Sequence, residues 1–321
     1  MDILKDACND ITSLKIQGAT NVAKYGVKIL KEFVFRHKDL PFDELWKQML
    51  KAERLVYNSR ATEPAMRNGL EYILTKLRIE RDEKGKEMDL AESVGRYSEE
   101  YLDLLATSKK KIAEIGAKRI ANWDDPNKFT IFTHCHSSVT TGILLKAWKE
   151  GRRFNVICTE TRPKYQGRIT AKELIDAGIP TKMVVDSAMR WAVRTHDIKM
   201  VITGADAITS EGTVLNKIGS RLLALVCREM HIPYYVATPL LKFNPDTAFG
   251  VLEEIDMRSF KEVWNDKPEP LKILNPAFET VSRRYIDGLI TEAGIYPATI
   301  VFSVFYNTYP FYKLTVNNHQ E

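Results

Sequence analysis

Two different periods of apolar residues divide this chain. Ile3, Leu4, Ala7, Ile11 and Leu14 fall at helical spacing, and Gly18 breaks the run. Val22, Ala23, Val27, Leu30 and Phe33 repeat the pattern. Pro41 then marks a boundary ahead of Phe42, Leu45, Trp46 and Met49. Pro64 opens a fourth helical run with Met66, Leu70, Ile73, Leu74 and Leu77. After a charged turn over 78–87, residues 88–121 carry Val94, Tyr97, Tyr101, Leu104, Leu105, Ile112 and Ile115. No strand pattern of similar strength precedes residue 129. The expectation is a helical domain over residues 1–125 that ends in a long connecting helix, with turn chemistry at 122–127.

From residue 129 the pattern alternates. Strand-like runs cover 129–132, 154–159, 183–185, 200–203, 234–237 and 286–291, and helical runs cover 138–149, 169–177, 188–196 and 222–230. A last apolar segment lies at 298–305. Strands alternating with helices predict right-handed βαβ units and a mostly parallel sheet covered on both faces. The second domain is therefore α/β, over residues 126–321. Its strand runs end at Thr133, Glu160, Asp186, Gly204 and Thr238, and the edge where a parallel sheet collects such residues is where its chemistry is expected.

Composition narrows the class. The chain has 321 residues, 44% hydrophobic and 28% charged, which suits two domains with a large core. No apolar run reaches the length of a membrane span, and the amino terminus lacks signal-peptide layout. A net charge of +5 from 47 basic and 42 acidic residues is too balanced to argue for nucleic acid, but it fits a local site for an anionic ligand. Four separated cysteines without a CxxC pair argue against a disulfide framework or a structural zinc, so a cytoplasmic setting is expected. Neither a dinucleotide-binding GxGxxG after a strand nor a P-loop is present. His134, Cys135 and His136 cannot all turn inward from one strand end, which weakens a metal reading.

Chemistry concentrates in Thr133-His134-Cys135-His136-Ser137-Ser138, where a strand hands over to a helix. Backbone N–H groups at such a helix start bind anions and lower a nearby thiol's pKa. Cys135 reads either as a reactive thiol or as a packed one. Cys8, Cys158 and Cys227 read as packed. Asp206 follows the small pair Gly204-Ala205 and reads as an acid–base carboxyl or as a turn cap. Lys217, beside Asn216, reads as a phosphate-binding charge or as a solvated one. Arg60 and Arg162 read as phosphate forks or structural ion pairs.

Taken in order, several motifs resemble those of one family. Its members are the α, β and δ regulatory subunits of translation initiation factor 2B, ribose-1,5-bisphosphate isomerase and 5-methylthioribose-1-phosphate isomerase. The motifs are Lys15-Ile16-Gln17-Gly18-Ala19, Thr133-His134-Cys135-His136-Ser137, Glu160-Thr161-Arg162-Pro163, Gly204-Ala205-Asp206, Asn216-Lys217-Ile218-Gly219 and Lys242-Phe243. Within the family the chain is most similar to the archaeal ribose-1,5-bisphosphate isomerase type. It has the cysteine that the initiation-factor subunits usually lack, and it lacks the Asn-Ala/Thr-Gly run of the methylthioribose enzymes. Gln17 stands where the family usually has Arg, Ala61 follows Arg60 where an Arg-Pro pair is more usual, and the end from Ala298 to Glu321 matches poorly.

The resemblance implies a helical domain followed by a Rossmann-like α/β domain, and a homodimer or hexamer. It implies a catalytic pair, Cys135 and Asp206, with no metal or organic cofactor. Substrate contacts are implied for Gln17, Gly18, Ala19, Thr20, Arg60, Ser137, Ser138, Val139, Asn216, Lys217 and Lys242. The implied reaction turns ribose 1,5-bisphosphate into ribulose 1,5-bisphosphate, with Asp206 as general acid and Cys135, as thiolate, taking the C2 proton. The competing expectation is a regulatory subunit that binds a nucleotide or sugar phosphate and contacts initiation factor 2.

Overall fold

The computed structural model describes residues 2–13, 15–16, 18–60, 63–121, 129–251, 255 and 257–314. Helices come first: α1 (Asp2–Thr12), α2 (Ala19–Arg36), α3 (Phe42–Asn58), α4 (Pro64–Lys84) and α5 (Leu90–Arg119). Pro41 and Pro64 stand at helix starts, where a missing N–H costs nothing. Then follow β1 (Thr130–Thr133), α6 (Ser138–Lys149), β2 (Asn155–Thr159), α7 (Gly167–Asp176), β3 (Thr181–Val184) and α8 (Met189–Thr195). The chain continues through β4 (Ile198–Thr203), β5 (Ala207–Ile208), β6 (Val214–Lys217), α9 (Ser220–Met230) and β7 (Tyr234–Ala237). It ends with β8 (Phe278–Val281), β9 (Gly288–Thr291), β10 (Gly294–Tyr296) and α10 (Val301–Thr308).

Two compact units result. The first comprises residues 1–107, 241–243 and 303–321, and the second comprises 108–240 and 244–302. The division lies within α5, whereas the sequence pattern places it at the linker near residue 125. Helix periodicity marks where an element stops, not which residues share a core.

In the first unit, α2 and α4 pack closely because Gly26 leaves room for Met66. Gly69 likewise admits the Tyr101 ring, whose hydroxyl donates to the Ala65 carbonyl. A side chain at either glycine would collide, so these two positions set the helix spacing.

The second unit is built on a seven-stranded sheet in the order β10-β9-β7-β4-β1-β2-β3. Every pairing is parallel except that of β9 with the edge strand β10. Ile131, Val156, Met200, Ile202 and Ile290 from the strands bury against Ile143, Leu144, Ala147 and Leu174 from α6 and α7. Fully burying such a side chain is worth about 1.5–3 kcal/mol. A second, antiparallel sheet, β5-β6-β8, has no counterpart in the sequence reading.

Candidate active site

The order of strands decides where a site can form. β1 pairs with β2 on one side and with β4 on the other. The order therefore reverses between β1 and β4, and in open α/β sheets ligands bind beyond the strands' carboxyl ends at such a reversal. Cys135 lies two residues beyond the end of β1 and Asp206 three residues beyond the end of β4. Two chemistry-bearing residues thus flank the switch point from adjacent strands.

Cys135 has φ 66°, a left-handed conformation that a non-glycine residue adopts only when its surroundings hold it there. Both ends of its peptide are held. Its N–H donates to Thr161 Oγ1 at 3.0 Å, and its carbonyl accepts from Thr170 Oγ1 at 3.0 Å. The sulfur lies 3.7 Å from Gln166 Oε1. Thr161 is fixed in turn, since its N–H and that of Arg162 both donate to the Asp186 carboxylate, at 2.9 and 2.6 Å.

The thiol is pushed up from 9.0 to about 11, chiefly by burial. The charge of Lys217 and the His136 backbone N–H pull it down, while Asp206 and Asp186 add to the rise. This corrects the expectation of a thiol lowered by a helix start. Ser137, not Cys135, caps α6, its hydroxyl accepting from the Thr140 N–H at 3.3 Å. The thiol sits ahead of the cap, where loss of water outweighs the helix end.

The two flanking histidines face different partners. His134 is buried and bonds Thr159 Oγ1 and the Ile218 carbonyl, and burial lowers its pKa. His136 is half-buried, with Nδ1 3.1 Å from Thr170 Oγ1 and Nε2 3.8 Å from Glu173. Among the described residues no group of three or more His, Cys, Asp or Glu stands where it could hold a metal ion.

Asn216 and Lys217 end β6 and are buried. The Lys217 ammonium lies 4.9 Å from the centre of the Phe278 ring, and Asn216 Nδ2 donates to Ser220 Oγ at 2.8 Å. The turn that follows is secured by Glu279, whose carboxylate accepts from the N–H groups of Gly219 and Arg221 at the start of α9. Ser138 Oγ accepts from Lys109 Nζ at 2.8 Å, and Val139 is buried. The Asp206 N–H donates to the Leu215 carbonyl. Among the described residues its carboxylate makes no hydrogen bond or ion pair and is left available for other chemistry.

The remaining candidates belong to the first unit. Gly18, φ 83°, precedes Ala19 and Thr20 at the start of α2. Arg60 pairs with Glu63 at 3.2 Å, both buried, which matches the structural ion pair weighed for it. Asn68 Nδ2 donates to the carbonyls of Leu241 and Phe243, each at 2.8 Å, and so fixes the backbone on both sides of Lys242. Gln17 lies outside the described residues, as does Ala61. In the second unit Arg162 is exposed, and its guanidinium bonds the Tyr165 hydroxyl.

Reading the sequence singled out none of Gln166, Thr170 and Glu279. Asp186 was legible as a strand end, and Thr159 only as the last position of the strand-like run over 154–159. The other three had no such signal, because Gln166 stands just ahead of an ordinary helix, Thr170 lies within it and Glu279 belongs to a strand of the unforeseen sheet.

Comparison with known proteins identifies relatives along most of the chain. The protein named ribose 1,5-bisphosphate isomerase in Archaeoglobus fulgidus is 35% identical over 306 residues, covering 95% of this chain and 93% of its own. The protein of the same name in Methanocaldococcus jannaschii is 36% identical over 92% of each chain. Translation initiation factor eIF-2B of Pyrococcus horikoshii superposes with a TM-score of 0.75 at 27% identity, over 92% of this chain and 96% of that one. The 5-methylthioribose 1-phosphate isomerase of that organism has the same fold, with a TM-score of 0.76 at 23% identity over 95% of this chain and 88% of its own. A model of the initiation factor 2 subunit family matches residues 15–298, and the chain belongs to that family.

Proposed function

We propose that the chain converts ribose 1,5-bisphosphate to ribulose 1,5-bisphosphate, with Cys135 and Asp206 as the acid–base pair. The observation that carries this reading is the position of the two groups after β1 and β4, at the reversal of strand order. The names of the archaeal relatives at 35–36% identity support the substrate.

The Cys135 thiolate takes the C2 proton. The C2–H electron pair forms a C1–C2 double bond, and the bond from C1 to the ring oxygen breaks. That oxygen takes the proton of Asp206. The product is an open-chain enol that keeps its C1 phosphate. The Asp206 carboxylate then removes the 2-hydroxyl proton, and the Cys135 thiol returns a proton to C1. Both groups end as they began.

Burial keeps the resting proton on sulfur, so the thiol must release it to solvent before substrate closes over it, leaving the thiolate with which the step begins and ends. Lys217 and the His136 N–H favour that step. Backbone N–H groups of the turn formed by Ser137, Ser138 and Val139, with Asn216 and Lys217, are proposed to bind phosphate. Gly18, Ala19, Thr20, Arg60 and Lys242, together with Gln17, join them on the strength of the resemblance. Self-association of identical chains is part of the proposal, and light scattering on the purified protein tests it.

Isomerisation by the purified protein, beside Cys135→Ser and Asp206→Asn, tests the assignment. Turnover in the wild type that is lost in both folded variants is expected. No turnover, with tight binding of a nucleotide or sugar phosphate, overturns it in favour of a regulatory subunit.

A further inference from the structure

His134 is buried, titratable and absent from the reaction just described. Its two ring nitrogens have partners that fix where its proton lies. The Ile218 carbonyl can only accept, so Nε2, 2.8 Å away, carries the hydrogen. Nδ1 of a neutral ring must then accept, and Thr159 Oγ1, 2.6 Å away, donates to it. With its hydrogen committed, Thr159 can only accept from Thr161 Oγ1 at 3.0 Å. Thr161 in turn accepts the Cys135 N–H at 3.0 Å. Every hydrogen in this row of buried groups has one direction, from the Cys135 peptide to His134 and from His134 to Ile218. Thr159 and Thr161 are fully buried, so no water replaces a lost link.

The far end of the row matters as much. Ile218 directly follows Lys217, the cation that acts on the Cys135 thiol. Gly219, φ 103°, lies against the His134 ring, where an added Cβ would stand 2.9 Å from Nε2. The ring therefore seats that turn as well as bonding to it.

We propose that His134 is a positioning residue for Cys135. Through the Thr159 and Thr161 hydroxyls it holds the strained peptide that presents the thiol, and through Ile218 it ties that peptide to the turn carrying Lys217. The assignment rests on Cys135 being the reacting thiol.

Removing the imidazole risks the fold, so the test is made at Thr159. Thr159→Val keeps the shape and deletes the link, whereas Thr159→Ser keeps the hydroxyl. The expected result for Thr159→Val is a loss of about 10- to 100-fold in kcat, with KM within about threefold of wild type. Thr159→Ser is expected to recover at least about a third of the wild-type kcat. A folded Thr159→Val enzyme with unchanged kcat overturns the proposal, as does a Thr159→Ser enzyme impaired as badly as the valine variant.

Iodoacetamide alkylation of Cys135, followed by mass spectrometry, separates this proposal from the isomerase reading. If the wild type shows no turnover, the function fails, and the row is judged on alkylation alone. Thr159→Val is then expected to change the rate at least about fivefold and Thr159→Ser less than about twofold. Equal rates in all three proteins sink the positioning role.

Discussion

The Lys217 ammonium lowers the pKa of the Cys135 thiol, and burial of that thiol overrides it, leaving the group at about 11. The sign of the first effect sets a prediction. Replacing Lys217 with Met removes the charge that favours the thiolate, so the pKa rises further and less thiolate is present at any pH below it. A rise of about half a unit is a threefold loss of thiolate. Cys135 alkylation in the wild type should accelerate steadily from pH 8 to 10.5. The Lys217→Met protein should follow a slower curve displaced to higher pH. A variant curve at lower pH would show that burial, not charge, was changed.

Gly204 makes a second test. A Cβ there would stand 2.6 Å from Ser137 Oγ and 2.7 Å from Ser137 Cβ. Ser137 caps α6, so Gly204→Ala displaces a cap and disturbs the turn that carries Cys135. A loss of about 1–3 kcal/mol in urea unfolding is expected, from the cap and from overpacking. Ser137→Gly deletes both colliding atoms. The double variant should therefore cost less than the sum of the single changes, and strict additivity would disprove the collision.

Asp186 holds the segment that holds Cys135. Its carboxylate accepts two adjacent backbone N–H groups, those of Thr161 and Arg162. Asp186→Ala leaves both without their acceptor, and a loss of about 1–3 kcal/mol is expected from denaturant midpoints at unchanged slope. The same variant should lower kcat, because Thr161 is the acceptor for the Cys135 N–H. Full activity in a destabilised Asp186→Ala protein would show that the Thr161 clamp is not needed for turnover.

Much of this arrangement was legible beforehand, for identifiable reasons. Regular helix periods and proline boundaries marked α2 to α5. The strand ends Thr133 and Gly204 led to Cys135 and Asp206, because a parallel sheet places such ends on one edge. What escaped was non-local or short. Lys217 reads as part of a turn before a helix, yet it ends β6, whose partners β5 and β8 have two and four residues. Strands of that length are too brief to show a period. The state of Cys135 was misjudged because adjacency to a helix start is visible in a sequence, whereas burial is not. Thr161 and Thr170 meet Cys135 only after the chain has passed through β2 and into α7.

Glu53, buried on α3, has its carboxyl raised from 4.5 to about 7, first by burial and then by the charge of Glu71. Arg54 and Arg78 oppose that rise without cancelling it. A group with a higher pKa when folded binds more protons in the folded state. Its contribution is complete below the unfolded value near 4.5 and is lost as pH rises through about 7. Glu53→Gln keeps the shape and cannot ionise. It should match the wild type at pH 4 and be more stable by about 1–3 kcal/mol at pH 8.5. The difference should open between pH 5 and 7.5. Unfolding curves collected across that range measure it directly. If the two proteins keep a constant difference from pH 4 to 8.5, Glu53 does not titrate in the folded chain, and the penalty for burying its charge is being met by a partner.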